Sequence, residues 1–67
     1  MNLTVNGEQV VIPNTVKTVA ELLQHFELNQ KVVIVERNAE ILEKAKHTDT
    51  QVSHGDKIEL VHFVGGG

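Results

Sequence analysis

The chain closes on Val64-Gly65-Gly66-Gly67, and the group there best suited to chemistry is the α-carboxylate of Gly67 rather than any side chain. A C-terminal carboxyl group has a reference pKa of about 3.3–3.7, so it is ionised at neutral pH. A carboxylate acylates poorly until activated. Attack on the α-phosphorus of ATP would give an acyl-adenylate with AMP as leaving group, and sulfur delivered to that acyl carbon would leave a thiocarboxylate on a tether. None of these steps draws on a side chain of this chain. Gly65 and Gly66 lack a Cβ, so they form a thin strand of backbone that passes a channel where side chains would clash. The plainer reading stands beside this one: terminal glycines also occur as frayed ends or expression scars.

No side-chain cluster competes with the terminus. The sequence has no cysteine, which excludes disulfides, thiolate metal sites and a cysteine nucleophile. His25, His47, His54 and His62 are scattered without ligand spacing, so no metal site is expected. No catalytic residue of its own and no bound cofactor is expected either, and the chain reads as something other than an enzyme. The formal net charge is −3, the six basic residues do not cluster, and there is no Trp or Tyr for base stacking, so nucleic acid is not an expected partner. The first residues carry neither a basic nor an apolar targeting region, and no apolar run reaches membrane-spanning length. A cytoplasmic protein without a membrane partner, monomeric when free, is the expectation.

The elements that must position the tail follow from periodicity. Leu3-Thr4-Val5 and Val10-Val11-Ile12 flank Asn6-Gly7, a pair suited to the positive φ values of a tight hairpin turn. Thr18-Val19-Ala20-Glu21 fits a capping box. Val19, Leu22, Leu23 and Phe26 then share one helical face, opposite Gln24, His25 and Glu27, in a helix predicted to end near Leu28-Asn29. Val32-Val33-Ile34-Val35 is a β-branched run apolar on both faces, as a strand inside a sheet requires, and Glu40-Ile41-Leu42 reads as a short edge strand. Residues 43–54 are polar and poorly periodic, with Glu43-Lys44-Ala45-Lys46-His47 suited to one helical turn and Val52 as the anchor to the core. Arg37, near Glu36 and Glu40, reads as solvated charge. Gly55-Asp56 marks a turn before the last strand, residues 57–64.

The order β-β-α-β-(β)-β calls for one helix on one sheet, a compact two-layer solution. Among known folds that order is the α+β β-grasp, the ubiquitin-like fold: a mixed sheet of four to five strands on one helix, with the last strand central beside the first. The predicted organisation is a domain over residues 1–64 and a glycine tail over residues 65–67. Along the last strand Ile58, Leu60, His62 and Val64 fall on one face, and Glu59, Val61 and Phe63 on the other. If Ile58 and Leu60 lie under the helix, Val61 and Phe63 point outward beside the Val32–Val35 strand. Val61, His62, Phe63 and Val64 are then the candidate partner-binding patch, next to the reactive tail. His62 on its own reads as a half-buried strand residue within reach of a partner. The alternatives are a loop over the patch or the opposite assignment of faces. Glu36 and Glu59 read as surface charge that a basic partner could meet.

With these residues in place, the chain resembles the sulfur carrier proteins of thiamin thiazole biosynthesis, the ThiS family. The resemblance runs the whole length, through Val5-Asn6-Gly7, Thr18-Val19-Ala20-Glu21-Leu22-Leu23 and Val32 to Asn38, to the ending from Asp56 to Gly67. Ile34-Val35-Glu36-Arg37-Asn38 and Val61-His62-Phe63-Val64-Gly65-Gly66-Gly67 are most similar to Bacillus-type members. Two terminal glycines are the family's common feature, and Gly65 stands where another small residue is frequent. The resemblance implies that Gly67 is adenylated by a ThiF-type adenylyltransferase and converted to a thiocarboxylate by a sulfurtransferase relay. It implies that the sulfur goes to the ThiG thiazole synthase, with ATP, magnesium and any zinc belonging to the partners. The neighbouring alternatives are a sulfur donor like the small subunit of molybdopterin synthase, whose usual proline before the glycines is absent here, a ubiquitin-like protein modifier, and an interaction module with an inert tail.

Overall fold

The structure is a computed structural model that describes residues 1–29 and 33–62, and of His62 the main chain only. Its strands begin with β1 (Asn2–Val5) and β2 (Glu8–Val11), joined by Asn6 and Gly7 at φ of 50° and 83°. Two consecutive left-handed residues are what a two-residue hairpin with natural strand twist needs, and Asn-Gly supplies them at little steric cost. A second hairpin of the same design joins β3 (Val33–Arg37) to β4 (Glu40–Leu42) through Asn38 and Ala39, at φ of 50° and 72°. Ala39 carries a Cβ into a region that disfavours one, a local cost of about 1–2 kcal/mol.

Helix α1 (Val19–His25) is short, and its ends are closed by identifiable bonds. Thr18 Oγ1 accepts from the Glu21 N–H at 3.2 Å, while Glu21 Oε1 accepts from the N–H groups of Lys17 and Thr18, both at 3.0 Å. The Val19 and Ala20 N–H groups, which have no partner inside the helix, donate to the carbonyls of Thr50 and His47, both at 2.9 Å. The polar stretch after β4, with its 3₁₀ turn Lys44–Lys46, therefore caps the helix from outside. The helix is shorter than its periodicity predicts. It stops at His25 because Glu27 turns left-handed at φ 58°, and the Glu27 and Leu28 N–H groups fold back onto the carbonyls of Gln24 and Leu23. This is a Schellman closure, with Leu28 continuing the apolar contact after the helix has ended.

The sheet runs β2-β1-β5-β3-β4, with β5 (Lys57–His62) in the centre. β5 lies parallel to β1 (Thr4 opposite Lys57, Val5 opposite Ile58) and antiparallel to β3 from Val33 opposite His62 to Arg37 opposite Ile58. The core fills the space between sheet and helix: Leu3, Ile12, Val19, Leu22, Leu23, Val33, Val35 and Ile58 are all essentially fully buried. Burial of each such side chain contributes about 1.5–3 kcal/mol. Val52 reaches the same core as expected of an anchor. His47, in a stretch the sequence gives no reason to bury, is fully enclosed as well. The β3 run is apolar on both sides, with Val33 and Val35 facing in and Ile34 out; Val32 lies outside the described residues.

Candidate docking face and carrier terminus

Alternation along β5 and β3 decides which side chains meet a partner. Ile58 is fully buried and Leu60 half-buried toward the helix, so Glu59 and Val61 face away from it. Val61 is 52 % exposed and lies opposite Ile34, 39 % exposed, on β3. Two pairs along, and so on the same face, Glu36 stands opposite Glu59 on β5 and opposite Ile41 on β4, and Ile41 is 71 % exposed. Around β5, β3 and β4 the outward face thus presents Ile34, Ile41 and Val61, with two facing carboxylates among them, while Val11 is exposed on the same face at the far edge, on β2. The helix is on the other side of the sheet, and no described residue forms a second layer over this one.

The start of β5 is fixed by Asp56, which is buried although its sequence signal is only a turn. Its carboxylate accepts from the Ser53 N–H and from Arg37 Nε, both at 2.8 Å, and from Asn38 Nδ2 at 3.2 Å. Arg37 is therefore a structural ion-pair partner of Asp56, not solvated charge near Glu36 and Glu40. Charge-assisted bonds in a half-buried site hold where exposed pairs contribute little. Burial raises the pKa of Asp56, but the bonds from Ser53, Asn38 and Arg37 together with the Arg37 charge outweigh it, and the carboxyl group titrates below its ordinary 3.8. Asn38 Oδ1 also accepts from the Lys57 N–H at 2.9 Å, and the Asn38 N–H donates to the Lys57 carbonyl at 2.8 Å.

The end of β5 is held by Asn6. Its Oδ1 accepts from the Leu60 N–H at 2.7 Å, and its Nδ2 donates to the Leu60 carbonyl at 3.2 Å. On the helix side, Asn6 and Leu60 join Val5, Phe26, Leu28 and Val33 in lining an apolar cleft of about 290 Å³.

The predicted site residues divide accordingly. Val61 is outward and exposed, on the face alternation assigned to it. His62 belongs to β5 by its main chain. Phe63, Val64, Gly65, Gly66 and Gly67 lie outside the described residues. Ile34 and Ile41, which the sequence marks only as strand residues, complete the patch; the same alternation finds them once the pairing of β3 with β5 and of β4 with β3 is known. Among the described residues no three His, Cys, Asp or Glu side chains converge as a metal site, and no helix is long and apolar enough to cross a membrane.

Among the described residues one α-helix lies on one face of a five-stranded mixed sheet, with the last strand central and parallel to the first, and this arrangement defines a β-grasp protein of the ubiquitin-like kind. The family model described as the ThiS family matches residues 2–67. The chain belongs to the ThiS family. It is 43 % identical over 65 residues to the sulfur carrier protein ThiS of Bacillus subtilis (strain 168), covering 97 % of this chain and 98 % of that one. It is 40 % identical over 67 residues to a thiazole synthase of Paramagnetospirillum magneticum, where the match spans all of this chain but only 20 % of the larger protein. The crystal structure of the thiamine biosynthesis protein ThiS from Geobacter metallireducens superposes with a TM-score of 0.84 at 40 % identity, covering 100 % of both chains.

Proposed function

We propose that this member of a family of sulfur carriers for thiamin biosynthesis bears its sulfur on the carboxylate carbon of Gly67. A ThiF-type adenylyltransferase, holding ATP and magnesium, joins that carboxylate to the α-phosphorus and releases pyrophosphate. Sulfide-level sulfur delivered by a sulfurtransferase relay then attacks the acyl carbon and displaces AMP, leaving the thiocarboxylate, whose sulfur passes to ThiG thiazole synthase. Gly65 and Gly66 thread the partner's channel, while Val61 and the residues His62, Phe63 and Val64 after it dock the domain, together with Ile34 and Ile41. The observation that carries this reading is the match to the ThiS family through Gly67, on a fold whose central strand β5 is the last described element before that residue in the sequence. The likeness of the whole chain to a segment of a protein named thiazole synthase supports the choice of acceptor.

The test is intact-mass measurement after incubation with ATP, magnesium, the adenylating enzyme and a sulfur source. The expected product has one oxygen of Gly67 replaced by sulfur, and deletion of Gly67 abolishes it while the melting temperature stays unchanged. An unmodified mass with every adenylating enzyme tried would overturn the reading.

A further inference from the structure

β1 and β5 pair as a parallel ladder for only a short distance. The Thr4 and Asn6 N–H groups donate to the carbonyls of Asp56 and Ile58, at 3.0 and 2.9 Å. Beyond that point the main chain turns away at Asn6-Gly7 into β2, while β5 continues to His62 against β3 alone. The next peptide groups of β5 facing β1 are the N–H and carbonyl of Leu60, and a strand that lost its neighbour there would leave both to water. Instead the Asn6 side chain takes both, accepting at 2.7 Å and donating at 3.2 Å. A primary amide carries a donor and an acceptor side by side, so it stands in for the strand residue that the turn removed.

We infer that Asn6 is a positioning residue for the carrier terminus. Its amide fixes the two peptide units that flank Leu60, Glu59–Leu60 through the N–H and Leu60–Val61 through the carbonyl, and with them the direction in which β5 runs on toward Gly67, relative to the docking face that carries Val61. The inference rests on the proposed role of Gly67. Asn6 touches no reacting atom; it acts through β5. Its second role, a left-handed turn residue, is separable, because glycine satisfies the turn equally well and has no amide to offer.

Two substitutions in one turn therefore part company. Asn6→Gly keeps the turn and removes the clamp. Gly7→Ala keeps the clamp and strains the turn at φ 83°, with open space around the added Cβ. The assay is steady-state pyrophosphate release by the adenylating enzyme with carrier as the varied substrate. Asn6→Gly is expected to lower kcat on the order of tenfold, with KM within about twofold, since the face still docks but the terminus arrives misplaced. Gly7→Ala is expected to lower the melting temperature more than Asn6→Gly does while kcat stays at the wild-type value. Amide exchange at Leu60 should quicken about tenfold in Asn6→Gly and stay slow at Val35. Should Asn6→Gly melt too low to assay, Asn6→Asp, which keeps an acceptor for the Leu60 N–H and loses the donor, is expected to show the same loss in kcat. Wild-type kcat in Asn6→Gly, or a kcat that follows stability through both turn variants, would overturn the inference. Failure of the wild-type chain to be adenylated at all would instead bring down the proposed function, and this inference with it.

Discussion

At the scale of single residues, His47 is the least expected feature. It is fully buried, and neither ring nitrogen has a hydrogen-bond partner among the described residues. Desolvation pushes its pKa below the ordinary 6.5; the nearby Lys44 charge adds to the shift and the Leu42 backbone opposes it. The folded protein therefore holds the ring neutral at a pH where the unfolded chain already binds a proton. Protons favour the unfolded state in that interval, so stability falls as pH drops from 6.5 toward the folded pKa, and this contribution is flat above 6.5. His47→Leu removes both the titration and two unsatisfied polar atoms. Because a buried unpaired polar group costs about 1–3 kcal/mol, the variant is expected to be more stable than wild type by about 1 kcal/mol at pH near 7.5, and by more near pH 5. Chemical denaturation at both pH values checks this. A variant less stable than wild type at both would show that the ring contributes packing that outweighs its polar cost.

At the scale of elements, a seven-residue helix is too short to stand on propensity, so its ends matter in proportion. Thr18→Ala removes the side-chain acceptor for the Glu21 N–H and is expected to cost about 1 kcal/mol. Glu27→Gly, at a left-handed C-terminal position, is expected to stabilise by about 0.5–1 kcal/mol. Paired melting curves should move in opposite directions, by about 4–8 °C per kcal/mol for a domain of this size. Movement of both in the same direction would contradict the assignment of these ends. The N-terminal signal was legible because a capping box is a local pattern of residue types. The C-terminal stop was not, because Glu27 in a left-handed turn carries no compositional mark. The same distinction runs through the rest of the chain. Asn6-Gly7 announces its hairpin, whereas Asn38-Ala39 makes the same turn with an alanine that hides it. Asp56 reads as a turn residue because the partners that bury it, Arg37 and Asn38, are nearly twenty positions away. Faces of β5 could be assigned from alternation alone, and Val61 was; the full patch needed the register that sets Ile34 and Ile41 beside it.

At the scale of the whole molecule, the two sides of the sheet are built for different ends. The inner side is apolar and closed by the helix. The outer side sets Glu36 directly opposite Glu59 on neighbouring strands, an arrangement that disfavours the isolated fold by about 0.2–1 kcal/mol. Folding gains nothing from two carboxylates there, next to Ile34, Ile41 and Val61, all exposed. A basic, partly apolar partner surface laid on this face would relieve the repulsion and cover the apolar atoms in one step. Stability and docking should therefore trade against each other at these two positions. Glu36→Gln and Glu59→Gln are each expected to raise the melting temperature by a few degrees, about what removal of one like-charge contact predicts. Both should weaken binding to the proposed adenylating enzyme, chiefly through a slower association rate, and the difference from wild type should shrink as salt is raised. Stopped-flow association at low and high salt, set beside thermal melts, measures both sides. Gains in stability with unchanged association would mean that the carboxylate pair faces no partner, and docking would then rest on the apolar side chains alone. Losses in stability would mean that the two carboxylates are held apart by contacts to their own chain, and that the repulsion does not exist.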